Sequence, residues 1–227
     1  MIHNQFILDV LQNTNIDMVG FADLREVAPE QRHGLPYGIC IATALTVFPD
    51  MSEVPSQAYY DEYKRINKEL KETSLYLEKC IIEQGFAAYS LSRNMQDENF
   101  VTVLPFKTLA TRAGLGWIGK SSTLITKEYG NALRMNGVIT NMPVKAGTPI
   151  NASQCGDCTE CITHCPAKAI VGNHWDLKTA RNELVDPFAC KAKVIERGQE
   201  MGVTEGSCGI CISVCPWTKS YIRQLSE

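Results

Sequence analysis

The chain has 227 residues, 44% of them apolar and 21% charged, which suits a globular protein with one ordinary domain and a smaller module. A net charge of −3 and an isoelectric point near 5.9 exclude the overall basic footprint of a general nucleic-acid binder. No stretch approaches the roughly 20 apolar residues that span a bilayer, so no membrane association is expected. Residues Met1 to Leu11 lack the cationic and apolar regions of an export signal, and no twin-arginine pair occurs. The expected compartment is the cytoplasm, where thiols stay reduced.

In chain order, Phe6, Ile7, Val10 and Leu11 predict an amphipathic helix over Gln5 to Asn13. A short buried strand is predicted at Met18 to Ala22, and a longer one from Ile39 to Phe48, ended by Pro49. Tyr59, Tyr63, Ile66, Leu70, Leu77 and Ile81 keep helical spacing over Ala58 to Gln84, with Gly85 as the stop. Asp61, Glu62, Lys64, Arg65, Lys68, Glu69, Lys71 and Glu72 give that helix a solvated face with charge pairs. Tyr89–Ser92 and Val101–Leu104 are further predicted strands, as is a pair at Leu124–Thr126 and Gly137–Thr140. Phe106 to Ala113 predicts a helix ending at Gly114, and Pro143 to Ser153 has the composition of a linker. The expected architecture is a mixed α/β (α+β) domain over residues 1–148, followed by a ferredoxin-like module over 149–227.

The second part carries the chemistry. Cys155-x2-Cys158-x2-Cys161-x3-Cys165-Pro166 has the ligand spacing of a bacterial ferredoxin run, and Cys208-x2-Cys211-x3-Cys215-Pro216 repeats its ending. In such runs three closely spaced thiolates hold one [4Fe–4S] cluster and the cysteine before the proline serves the other. Cys155, Cys158, Cys161 and Cys215 therefore form one ligand set, and Cys165, Cys208 and Cys211 begin a second. A symmetric ferredoxin would place the missing ligand at position 205, which is Glu205. Cys190 is the replacement, although a buried helix cysteine is the bland alternative. Zinc sites favour two C-x2-C pairs set further apart, and a disulfide framework belongs to short secreted chains. Cys40 and Cys80, in apolar surroundings, are expected in the core. His164, inside the first run, is either a tuning group for a cluster or an exposed loop side chain. His3, His33 and His174 form no ligand spacing, and Trp217 is expected to shield a cluster.

Gly114-Leu-Gly-Trp-Ile-Gly-Lys-Ser satisfies both the phosphate-loop pattern and the dinucleotide fingerprint. Both require a strand before and a helix after, whereas here a helix precedes and a strand follows. The segment is thus a glycine-rich turn that packs Trp117 and Ile118, or one that lines a cofactor pocket with Lys120 and Ser121.

Arg112-Ala-Gly-Leu-Gly-Trp-Ile-Gly-Lys-Ser, Glu128-Tyr-Gly, Val138-Ile-Thr-Asn-Met-Pro and the two cysteine runs with Cys190 between them resemble epoxyqueuosine reductase. That family is a cobalamin-dependent iron–sulfur enzyme of tRNA modification, distantly related to reductive dehalogenases. The resemblance spans about Leu35 to Trp217. It implies an N-terminal domain that holds base-off cobalamin beside two [4Fe–4S] clusters, with Lys120 and Ser121 at the corrinoid pocket and Cys190 as the eighth ligand. It also implies an electron relay, from a donor such as ferredoxin or flavodoxin through the clusters to cobalt.

Three departures qualify it. The family's catalytic Asp, a proton donor, falls on Phe100; Asp97 and Glu98 are near but out of register, so that role stays unassigned. The longer relatives continue into helical repeats that grip tRNA, and this sequence stops at Glu227, as a shortened relative would. Reductive dehalogenases carry twin-arginine signals. The expectation is therefore an oxidoreductase that relays electrons to a bound corrinoid and reduces a small-molecule substrate, with tRNA not expected as a partner. The alternatives are a ferredoxin-like carrier that reduces a partner's corrinoid, and a minimal epoxyqueuosine reductase acting on tRNA.

Overall fold

The computed structural model describes residues 2–49, 56–203 and 206–225. Position 205 therefore lies outside the described residues. The chain forms two compact units that interleave along the sequence. The first comprises Met1–Thr43, Arg65–Leu115 and Arg134–Ile150; the second comprises Ala44–Lys64, Gly116–Leu133 and Asn151–Glu227. The boundary at 148/149 is thus a division of the sequence, while residues 44–64 and 116–133 group with the C-terminal segment.

The first unit is built on a four-stranded sheet of order β1-β2-β6-β3. Its strands are β1 (Met18–Asp23), β2 (Tyr37–Ala44), β3 (Ala88–Ser90) and β6 (Leu133–Thr140). β2 is buried at every position after Tyr37, as its unbroken Gly-Ile-Cys-Ile-Ala-Thr-Ala run requires of a strand covered on both faces. β1 at the edge is only partly buried and pairs antiparallel with β2, Gly20 opposite Cys40. β3 pairs antiparallel with β6, Tyr89 opposite Ile139. Helix α1 (Ile2–Leu11) buries Ile7 and Leu11.

The long helix α2 (Gln57–Glu83) keeps Ile66, Leu70, Leu77 and Ile81 inside and carries ion pairs one turn apart on its wet face. Arg65–Glu69 close at 2.9 Å and Lys79–Glu83 at 3.7 Å. It stops where Gly85 takes φ +84°. Near its end Glu78, buried, accepts the Ser90 N–H at 3.0 Å and pairs with Arg93 at 2.7 Å. That anchors a 3-10 turn over Leu91–Arg93 directly after β3. The predicted strand at Val101–Leu104 is instead loop: Val101 and Val103 face solvent, and Phe100 takes φ +58°. Apolar β-branched composition suggested a strand, but no neighbouring strand is there to pair with it. Helix α3 (Phe106–Arg112) follows.

The second unit holds a small hairpin, β4 (Trp117–Ile118) with β5 (Leu124–Ile125), and helices α4 (Glu160–Thr163), α5 (Pro187–Glu200), α6 (Ile210–Ser213) and α7 (Pro216–Leu225). The two strands predicted at Leu124–Thr126 and Gly137–Thr140 are both present, in β5 and β6, with β5 pairing with β4 and β6 lying in the main sheet. Thr218, fully buried at the start of α7, donates its hydroxyl to Asn131 Oδ1 at 2.7 Å and accepts the Asn131 N–H at 3.1 Å. No helix among the described residues is long and apolar enough to cross a membrane.

Candidate iron–sulfur centre

Each cysteine run folds into a loop and a one-turn helix. Cys161 lies on α4 and Cys211 on α6, and these two helices pack together. In both runs a glycine follows the first cysteine and takes a left-handed conformation, φ +54° at Gly156 and +68° at Gly209. The reversal turns the loop so that cysteines three apart can face one centre. A Cβ at Gly209 would lie 2.6 Å from the Tyr59 hydroxyl oxygen. These two matching glycines are functional positions that cysteine spacing alone passed over; their signal was the repeated Cys-Gly-x-Cys.

Cys190 sits in the first turn of α5, whose cap Asp186 accepts the Phe188 and Ala189 N–H groups at 2.9 and 3.0 Å, with Pro187 at the start. Cys215 precedes α7, and its sulfur accepts the N–H groups of Thr218 and Trp217. Ile210 N–H serves Cys208 in the same way, and Ala169 N–H reaches Cys165 Sγ at 3.4 Å. Such donors stabilise a thiolate and, equally, a metal-bound sulfur.

The thiols group by the fields they exert on one another. The Cys161 thiol is raised to about 11, first by burial and then by the neighbouring Cys155, Cys158 and Cys215. Burial also raises Cys190, helped by Cys208 and Cys165. Cys211 is raised strongly by burial, then by Cys208, Cys190, Cys161 and Cys165. Cys155, Cys158, Cys161 and Cys215 thus come together, as do Cys165, Cys190, Cys208 and Cys211, and Cys161 with Cys211 brings the two sets side by side. Among the described residues no three His, Cys, Asp or Glu groups close on the point of a single metal ion. Cys190 is exposed as a residue, yet its thiol faces inward enough to be desolvated. Neighbouring sulfurs drawn partly out of water suit a polynuclear cation, since each must lose a proton to bind.

The other candidates separate. Cys40 is fully buried in β2, its thiol raised to about 12 by burial, and Cys80 is half-buried on α2. His164, exposed at the end of α4, donates from Nδ1 to the Glu160 carbonyl at 2.9 Å. Trp217 packs edge-to-face on Trp117 with ring centroids 5.3 Å apart. Lys120 is buried and donates to the carbonyls of Gly156 and Cys158 at 2.8 and 2.9 Å, inside the first cysteine loop. Ser121, also buried, shares a hydrogen bond of 2.7 Å with Thr123 Oγ1. Asp97 is held in its own loop, where its carboxylate accepts the Asn99 and Val101 N–H groups. The first unit contains a cavity of about 290 Å³, lined by Asn67, Lys71, Asn94, Thr102, Arg134 and Asn136 among others, and by no carboxylate. Asn94 Nδ2 is buried there without a partner.

Residues 154–218 match the family model of a 4Fe–4S double cluster binding domain. The chain is 29% identical to the epoxyqueuosine reductase of Synechocystis sp., over 92% of its own length and 72% of that protein. It is a homologue of the epoxyqueuosine reductases. It reaches 30% identity with the epoxyqueuosine reductase of Atelocyanobacterium thalassa over 61% of its length, but spans only 46% of that relative. An epoxyqueuosine reductase solved with a modified tRNA stem loop shares the fold at a TM-score of 0.62 and 21% identity, covering 96% of this chain and 66% of that one. A reductive dehalogenase described as acting in B12-dependent dehalogenation superposes at 0.68 and 18% identity, covering 99% of this chain and 33% of that one. The chain is thus similar in sequence to epoxyqueuosine reductases, and it shares its mixed α/β fold with both groups of solved structures. The expectation that tRNA is no partner is corrected by these relatives, which carry the name of a reductase of a tRNA nucleoside, one of them solved with tRNA. That expectation rested on the helical repeats of the longer relatives not being matched in this sequence, together with net charge, which averages over the whole surface and is silent about a local binding face.

Proposed function

We propose that this chain is a cytoplasmic iron–sulfur oxidoreductase that reduces a tRNA-borne nucleoside with the help of a corrinoid. Cys155, Cys158, Cys161 and Cys215 hold one [4Fe–4S] cluster; Cys165, Cys190, Cys208 and Cys211 hold the other. What supports the reading is that Cys161 neighbours Cys155, Cys158 and Cys215 while Cys211 neighbours Cys208, Cys190, Cys161 and Cys165, so thiols of the two cysteine runs mingle. That exchange of the fourth ligand is how two-cluster modules are wired.

The clusters and the corrinoid, when bound, supply the one-electron carriers and the reducing metal that side chains lack. The protein supplies placement. Amide groups of Trp217, Thr218 and Ile210 orient Cys215 and Cys208 toward their metal. The cavity of the first unit offers amide groups, Lys71 and Arg134, which favour a ligand rich in amide and phosphate oxygens, a description that covers a corrinoid edge and a nucleotide. At about 290 Å³ it takes one end of such a ligand. Asn94 Nδ2 is a donor awaiting an acceptor in that space.

The test is an anaerobic assay of cluster-loaded protein with cobalamin, a strong chemical reductant and tRNA bearing epoxyqueuosine, read by mass spectrometry of the digested nucleosides. Loss of one oxygen from the nucleoside supports the reading. Unchanged tRNA, with clusters and cobalamin both shown to be bound, would reject the tRNA substrate.

A further inference from the structure

The glycine-rich turn is occupied with the first cysteine loop. A Cβ at Gly119 would meet Ile125 Cδ1 at 2.3 Å and would also come within 3.3 Å of Cys155 Sγ, so the glycine lets the hairpin side chain and the first cysteine both pack against this backbone. The next residue, Lys120, is 5% exposed. Its ammonium donates to two carbonyls of the loop, those of Gly156 and Cys158. Among the described residues no carboxylate lies within ion-pair distance of it. A buried ammonium met only by carbonyls is poorly compensated and strongly disfavoured unless an anion lies nearby. The neighbouring thiols Cys155, Cys158, Cys161 and Cys215 become that anion when they ligate, because four thiolates outweigh the charge of the iron–sulfur core.

We infer that Lys120 is a positioning residue for the first cluster: its buried charge is the counter-ion of that cluster and raises its reduction potential, while its two hydrogen bonds hold the ligand loop closed. The inference rests on the assignment of Cys155, Cys158, Cys161 and Cys215 as a cluster site. Reduction adds one negative charge to the cluster, so a fixed cation beside it favours the reduced form. The resemblance of this segment to a phosphate loop then has a physical source. Both use glycines for close approach and a lysine for a buried anion, here a metal–thiolate group in place of a phosphate.

The experiment compares the full-length, cluster-reconstituted protein with Lys120→Met, Lys120→Gln and Lys120→Arg. Iron content and an EPR-monitored redox titration are read for each, and the first cluster's signal is assigned in a Cys190→Ala background. Lys120→Met and Lys120→Gln should shift the one-electron equilibrium of the first cluster about tenfold toward the oxidised form, or about 59 mV lower. Lys120→Arg should restore it, and the second cluster should not move. Wild-type potentials in a fully loaded Met or Gln variant would overturn the inference. If the neutral variants take up no first cluster, loading by Lys120→Arg supports the charge; failure of Arg as well, in a chain still folded by circular dichroism, overturns it. A wild-type protein that binds no iron would instead reject the cluster assignment itself.

Discussion

Replacing Cys190 by Ala separates a metal ligand from an ordinary helix cysteine. In the metal-free protein Cys190 is an exposed residue on the first turn of α5 whose thiol is only partly desolvated. The substitution should therefore cost less than about 0.5 kcal/mol, the usual range for a surface change. That moves the melting temperature of a chain this size by no more than about 1–2 °C. The loaded protein should respond quite differently. With Cys165, Cys208 and Cys211 left as three sulfurs, the second cluster loses a corner. Iron should fall from about eight atoms per chain toward about four, because a [4Fe–4S] cluster takes four cysteine ligands. The assay is anaerobic reconstitution, colorimetric iron and EPR of the reduced protein, with Cys80→Ala as the control that keeps full iron. A Cys190→Ala protein with about eight irons and two cluster signals would refute the ligand assignment and leave the second set without its fourth member.

Three further outcomes follow from the geometry. Gly209→Ala places a Cβ at φ +68° and 2.6 Å from the Tyr59 hydroxyl, and should destabilise the protein by about 1–2 kcal/mol in urea unfolding; Tyr59→Phe in the same chain should recover part of it. Thr218→Val keeps the shape but strips two buried hydrogen bonds from Asn131, a loss of about 1–3 kcal/mol measured the same way. Cys40 gives an alkaline signature: its thiol is raised from 9.0 to about 12 by burial, so the folded state holds a proton that the unfolded state releases. Stability is then whole below pH 9 and falls by about 1.4 kcal/mol per pH unit between 9 and 12; Cys40→Ala should flatten that slope, and an unchanged slope would assign it to other groups.

The double-cluster module was legible in the sequence because cysteine spacing is local: residues three apart share one loop, and the run with its closing proline occurs twice. Cys190 was reached by counting what the second set lacked. The helices α2 and α3 and the buried strand β2 were likewise legible, since burial of one face, or of both, imposes a period that composition must follow. Val101–Leu104 failed the same test. Strand composition without a partner strand is only an exposed loop, and pairing is decided at a distance. The role of the glycine-rich turn was beyond the sequence altogether. Spacing placed Lys120 within a phosphate-loop pattern, but the carbonyls that hold it belong to residues 36 and 38 positions later. The interleaving of residues 44–64 and 116–133 with the cluster module was equally hidden. Periodicity reports which face of an element is buried and cysteine spacing reports which ligands are near neighbours. Only the folded chain decides which segment does the burying, because packing acts between residues that sequence separation does not connect.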